Sequence, residues 1–132
     1  MTMTDQSLTL IVDDEPDIQE SVKIILENAS YNVAVAFDGI ECLEKVKEIK
    51  PDLILLDIMM PGPSIKNIIK QITDCKIIFL TAVQTSDAER IDLLKQENIV
   101  DFIRKPFDVN DLLKRIGKVL HDWTRHSKKT RD

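Results

Sequence analysis

Apolar residues fall along this chain in two patterns, short unbroken runs and stripes at helical spacing, and the two take turns. Leu8-Thr9-Leu10-Ile11-Val12 is a β-forming run that ends in Asp13-Asp14-Glu15-Pro16-Asp17. Behind it Ile18, Val22, Ile25, Leu26 and Ala29 share one helical face, with Pro16 suited to the first turn and Asp14 placed to cap it. Asn32-Val33-Ala34-Val35-Ala36 is a weaker strand signal. Asp38-Gly39 then opens a helix with Ile40, Leu43, Val46 and Ile49 inward, closed by Pro51. Leu53 to Asp57 is apolar on both faces and far too short to cross a membrane, so it predicts a strand covered on both sides. After Pro61-Gly62-Pro63, Ser64 can cap a helix carrying Ile65, Ile68, Ile69 and Ile72. Lys76 to Thr81 is another buried strand. Ser86-Asp87-Ala88-Glu89 has the capping-box pattern ahead of a helix that buries Ile91 and Leu94. Val100 to Arg104 is the fifth strand, stopped by Lys105-Pro106-Phe107. Asp108 caps a last helix with the stripe Val109, Leu112, Leu113, Ile116, Leu120 and Trp123.

Strand and helix thus alternate five times. Short connections between them predict right-handed βαβ units: an α/β fold, with a parallel sheet and helices on both faces. The domain is expected to span 1–122, with 123–132 a polar tail or linker stub carrying Arg125, Lys128, Lys129 and Arg131. A length of 132 residues suits one domain, and a net charge of −5 argues against general nucleic-acid binding by it. The opening Met-Thr-Met-Thr-Asp-Gln has neither a basic nor an apolar segment, so neither a signal peptide nor a membrane association is expected. Cys42 and Cys75 lack metal-ligand spacing and read as thiols of a reducing, cytoplasmic setting. His121 and His126 read as surface residues.

In a parallel sheet every strand ends on the same edge, where open α/β folds keep their sites. That edge would collect Asp13 and Asp14 from the first strand, Asp57 from the third, Thr81 from the fourth and Lys105 from the fifth. Each has an ordinary explanation alone: a cap, a turn residue, a β-former, a solvated lysine. Their joint occurrence, each at the end of its own strand, points to chemistry. Clustered carboxylates repel and call for a cation; a hard ion such as Mg²⁺ keeps waters and leaves room for a phosphate oxygen. One carboxylate can then attack phosphorus, while an ammonium and a hydroxyl meet the charge on the transferring oxygens.

With these residues in place, from about Leu8 to about Leu120, the chain resembles the receiver domain of two-component response regulators. The family pattern is an acidic pair, a phosphoacceptor Asp, a Ser or Thr and a Lys-Pro, here Asp13-Asp14, Asp57, Thr81 and Lys105-Pro106. The resemblance implies a flavodoxin-like doubly wound sheet of five strands in the order 2-1-3-4-5 with five helices. It implies a signalling domain, not an enzyme on other substrates: Asp57 would take a phosphoryl group from a histidine kinase or phosphotransfer protein. Asp13, Asp14, Asp57 and the Met59 carbonyl would hold Mg²⁺, with Asp13 acting mainly through water. Thr81 and Phe102 would form the switch, and Lys105-Pro106 would be cis. Output would pass through the face of the fourth helix, fifth strand and fifth helix (Arg90, Lys95, Glu97, Arg104, Lys114, Lys118); the resemblance is also compatible with a homodimer.

Two departures stand out. Pro63-Ser64-Ile65 replaces the family's usual Met-Asp-Gly, and Glu97-Asn98-Ile99 lacks its Gly-Ala. Met59 and Val83, which flank the phosphoryl position in the family, are both apolar. A pseudo-receiver without phosphotransfer is the alternative, opposed by the intact Asp57, Thr81 and Lys105. A haloacid-dehalogenase phosphatase would need an Asp at Met59, and a P-loop or dinucleotide enzyme or a flavodoxin a phosphate-binding loop where Asp13-Asp14-Glu15 stands.

Overall fold

Apolar runs cannot leave their amide groups unpaired, and five of them here pair side by side. β1 (Leu8–Val12), β2 (Asn32–Ala36), β3 (Leu53–Asp57), β4 (Lys76–Thr81) and β5 (Ile99–Arg104) form one sheet in the order β2-β1-β3-β4-β5, every pair parallel. This computed structural model describes residues 7–60, 62–82, 92–93 and 95–131, with side chains as far as 121. The helices are α1 (Pro16–Asn28), α2 (Gly39–Ile49), α3 (Ile65–Lys70) and α4 (Val109–Arg131). The helix predicted behind Ser86 lies almost wholly outside the described residues, including Ile91 and Leu94; a helical turn is described at Asp92 and Leu93. α4 runs unbroken past residue 122, where a tail was expected to begin.

The sheet separates two apolar layers. Leu10, Ile54, Ile77 and Phe79 face Cys42, Ile68 and Ile69 under α2 and α3. Ile11, Leu55, Ile78 and Leu80 face Val22, Leu26, Leu112 and Ile116 under α1 and α4. Covering on both faces explains why β3 and β4 read as unbroken apolar runs. β5 begins one residue earlier than expected and carries a bulge: Ile77 pairs with Ile99 but Ile78 with Asp101, leaving Val100 as the extra residue. The bulge resets the alternation, so Ile99 and Phe102 lie in one layer and Ile103 in the other.

Capping follows the sequence at three helices. The side chains of Asp38, Ser64 and Asp108 accept from the amides of Glu41, Asn67 and Asp111. At α1 the expectation fails: Glu15 is the N-cap residue and makes no side-chain cap, so Asp14 is not the cap. Asp13 instead turns the chain, its Oδ1 accepting from Glu15 N–H at 2.9 Å. In α2, Ile40 is 57% exposed rather than inward. Gly39 takes the inward place because a Cβ there would collide with the Ile68 side chain of α3. Ala29 and Val109 are likewise exposed rather than inward.

Asn98, at the entry of β5, is buried and bonded. Its Nδ2 donates to the carbonyls of Ile72 and Cys75, each at 2.8 Å, and Gln96 Nε2 donates to Asn98 Oδ1 at 2.8 Å and to Ile69 O at 2.7 Å. The two amides fasten the entry of β5 to the α3–β4 connection. After β3, Gly62 sits at φ +106°, a conformation that glycine adopts without strain.

Among the described residues one buried side-chain atom lacks a hydrogen-bond partner, the Thr9 hydroxyl in β1. Burying an unpaired hydroxyl costs about 1 kcal/mol or more. Thr9→Val should therefore raise the unfolding free energy by about 1 kcal/mol in urea denaturation. A loss of stability would mean that the hydroxyl has a partner.

Candidate functional site

The parallel sheet brings the five singled-out residues to one edge. Asp13 and Asp14 follow β1, Asp57 ends β3, Thr81 ends β4 and Lys105 follows β5. Asp13, Asp57 and Thr81 are buried, whereas Asp14 is exposed. One carboxylate oxygen from each of Asp13, Asp14 and Asp57 lies within 4.8 Å of the others. Lys105 Nζ stands 2.7 Å from Asp13 Oδ2, 3.6 Å from Asp57 Oδ2 and 3.8 Å from Glu15 Oε1. The Lys105 amide donates to the Thr81 carbonyl at 2.7 Å, and the Lys105–Pro106 bond is cis. Met59 N–H donates to Asp57 Oδ1 at 3.0 Å, while the Met59 side chain is exposed. Phe102 lies in the core against Phe79, ring centroids 5.2 Å apart. Val83 and Arg90 lie outside the described residues.

The family model of the response regulator receiver domain matches residues 9–117. The chain belongs to this family. The receiver is 33% identical over 110 residues to the DNA-binding response regulator MtrA of Mycolicibacterium smegmatis, covering 81% of this chain and 47% of MtrA. It is 40% identical over 113 residues to the transcriptional regulatory protein DltR of Streptococcus agalactiae, covering 81% of this chain and 49% of DltR. The chain thus spans about half the length of the curated relatives it matches. Among solved structures, a CheY-like receiver domain protein from Methanospirillum hungatei superposes with a TM-score of 0.81 at 29% identity, covering 91% of this chain and 98% of that one. The BeF3-activated N-terminal receiver domain of Klebsiella pneumoniae RstA gives 0.77 at 28%, covering 86% and 98%.

Charge at the receiver's edge does not balance. Three carboxylates face one close ammonium, which leaves two negative charges uncompensated. Burial is the main cause that pushes the Asp57 carboxyl above its ordinary range; the Met59 N–H and Lys105 pull it down, and Asp13 and Asp14 push it up again. Burial acts against the charge on Lys105, but its hydrogen bond to Asp13 and the charges of Asp57, Asp13 and Glu15 outweigh burial and raise it. The donor set is all oxygen, clustered and anionic, which fits a hard divalent cation and not a soft one.

One side chain at this edge escaped the sequence reading. Gln19 of α1 is buried, with its amide on the ends of β1 and β2. The signal was present: Gln19, Val22 and Leu26 fall at i, i+3 and i+7, so a polar residue occupies the apolar stripe.

A carboxyl whose pKa is raised by folding favours the protonated state, so its contribution to stability is greatest below the ordinary carboxylate range and is lost as pH rises through the raised value. In metal-free buffer at neutral pH, Asp57→Asn should therefore unfold at a higher temperature than the unaltered protein. The gap should close as pH falls through the carboxylate range. Thermal unfolding across pH checks this; an Asn variant less stable at neutral pH would contradict it.

Proposed function

We propose that Asp57 is the phosphoacceptor of this receiver and that its phosphorylation is the signal. The observation that carries the reading is the placement of Asp57. It is a buried carboxylate at the tip of a central strand, 3.6 Å from the Lys105 ammonium and clustered with Asp13 and Asp14. The donor is a phosphohistidine on a sensor histidine kinase or a phosphotransfer protein. An Asp57 oxygen attacks phosphorus, an acyl phosphate forms, the P–N bond breaks, and the imidazole leaves with the electron pair and is protonated. Asp13, Asp14, Asp57 and the Met59 carbonyl are the groups that would hold Mg²⁺. When bound, the ion offsets the carboxylate charge and that of the phosphoryl oxygens. Lys105 meets one phosphoryl oxygen with its ammonium, and the Thr81 hydroxyl donates to another. Catalysis by the domain is confined to its own phosphorylation and dephosphorylation.

Thr81 lies at the end of β4 and Phe102 packs against Phe79 of the same strand. We assign this pair the switch: the hydroxyl moves toward the phosphoryl group and the aromatic ring follows. The output face joins β5 to α4, where Arg104, Lys114 and Lys118 are exposed, together with Lys95 and Glu97. It can engage an output partner or a second copy. MtrA and DltR are named as DNA-binding and transcriptional regulators; a transcriptional output is the reading for a full regulator built on this domain, which would act in the cytoplasm. The receiver is read as residues 1–122, with the basic 123–132 a tail or linker stub.

Incubation with acetyl phosphate and Mg²⁺, followed by intact-mass measurement, should add one phosphoryl group. Asp57→Asn and omission of the cation should each abolish it. An intact protein that takes no phosphoryl group from acetyl phosphate or a cognate kinase is instead a pseudo-receiver. Because Met59 and Val83 cannot orient a water through hydrogen bonds, the acyl phosphate should be long-lived. Met59→Asn combined with Val83→Glu should shorten its lifetime in a phosphate-release assay, and unchanged decay would refute that assignment.

A further inference from the structure

The loop between β1 and α1 carries two of the three clustered carboxylates, yet helix capping does not hold it. Glu15 sits at the N-cap without a side-chain hydrogen bond, and Pro16 has no N–H to give. One tie is backbone: Asp13 N–H donates to the Ala36 carbonyl at the end of β2, at 3.2 Å. Asp13 Oδ1 also accepts from Glu15 N–H and its Oδ2 pairs with Lys105, but the main-chain carbonyls of Asp13 and Ala36 are met by the side chain of Gln19, 5% exposed, whose Nε2 donates to Ala36 O at 2.8 Å and, more weakly, to Asp13 O at 3.4 Å. A single buried amide thus joins the ends of β1 and β2. It does so at the residue that also pairs with Lys105 and supplies a carboxylate to the cluster.

A buried amide is costly unless it is bonded, and an apolar side chain of equal length would fill the same space against α1. The polar residue adds control of the backbone. Anchored on the Ala36 carbonyl, which also accepts from Asp13 N–H, the amide reaches the Asp13 carbonyl and so biases the peptide that leads into Asp14 and the direction in which the exposed carboxylate leaves the strand. We propose that Gln19 is a positioning residue for cation binding, setting the Asp13-Asp14 backbone so that both carboxylates converge with Asp57. It touches neither the cation nor the phosphoryl group. The inference rests on reading the cluster as the divalent-cation site for phosphoryl transfer.

Gln19→Met removes the donor and keeps length and packing; Gln19→Leu does the same with a different shape. Val22→Ala, on the same buried face of α1, weakens the helix packing without touching the loop and is the control. Calorimetric titration with Mg²⁺ should show affinity reduced roughly ten- to a hundredfold in both Gln19 variants, the range for lost outer-shell partners, and unchanged in Val22→Ala. The rate of phosphorylation by acetyl phosphate should recover in the Gln19 variants at saturating Mg²⁺, a shift in cation requirement and not in maximal rate. In metal-free protein the Asp13 amide should exchange faster in the Gln19 variants, with the Leu10 and Ile11 amides unaffected. Equal Mg²⁺ affinity in a folded Gln19 variant, or an equal loss in Val22→Ala, overturns the positioning role. An unaltered protein that binds no Mg²⁺ overturns the cation site and this inference with it. One that binds Mg²⁺ yet takes no phosphoryl group overturns the phosphoacceptor reading alone.

Discussion

Negative charge held at the edge of a buried sheet is the constraint on which the rest of this structure depends. Taking charges out of water is expensive, and the expense is met only by close opposite charge and by hydrogen bonds. Asp13, fully buried, meets it through Lys105 and the Glu15 amide. Asp57 meets it in part, through the Met59 amide and a more distant Lys105. Asp14 stays in solvent. The carboxylates outnumber the one close ammonium, and an all-oxygen anionic cluster of this kind suits a hard divalent cation.

Sheet order makes this arrangement reachable. Adjacent pairing of β1 with β3 puts the acidic pair beside Asp57, and β4 puts Thr81 on the other side. Lys105 follows the edge strand β5 and extends back over the strand ends to Asp13. The bulge at Val100 turns Phe102 inward against Phe79, with Asp101 outward, where Arg115 of α4 grips it at 2.9 and 3.0 Å. Bulge, ion pair and the Gln96–Asn98 clamp all fix β5, the strand that aims the lysine. Rigidity there and exposure at Asp14 go together: a fixed ammonium beside a carboxylate cluster open to solvent on one side.

Much of this was legible in the sequence because it follows from periodicity. β3, and β4 after its opening Lys76, are buried on both faces and so are apolar up to Asp57 and Thr81 at their ends. The chemical positions were legible because a parallel sheet sends every strand end to one edge. What was hidden depends on tertiary neighbours. Ile40 lost its inward place to Gly39 because Ile68 of α3 needs the space. Asp14 lost the cap because Asp13 makes the turn first. Asn98 looks like a loop residue until its bonds to the carbonyls of Ile72 and Cys75 are seen. Val100 reads as an ordinary strand residue, since nothing local marks which residue of a strand goes unpaired.

The most direct test is chemical location of the phosphoryl group. Borohydride reduction of the phosphorylated protein turns an aspartyl phosphate into homoserine, and peptide mapping by mass spectrometry then finds the residue changed. Conversion of Asp57 alone, and only when a divalent cation was present, is the predicted result. Conversion at Asp13 or Asp14, or labelling that needs no cation, would contradict the account.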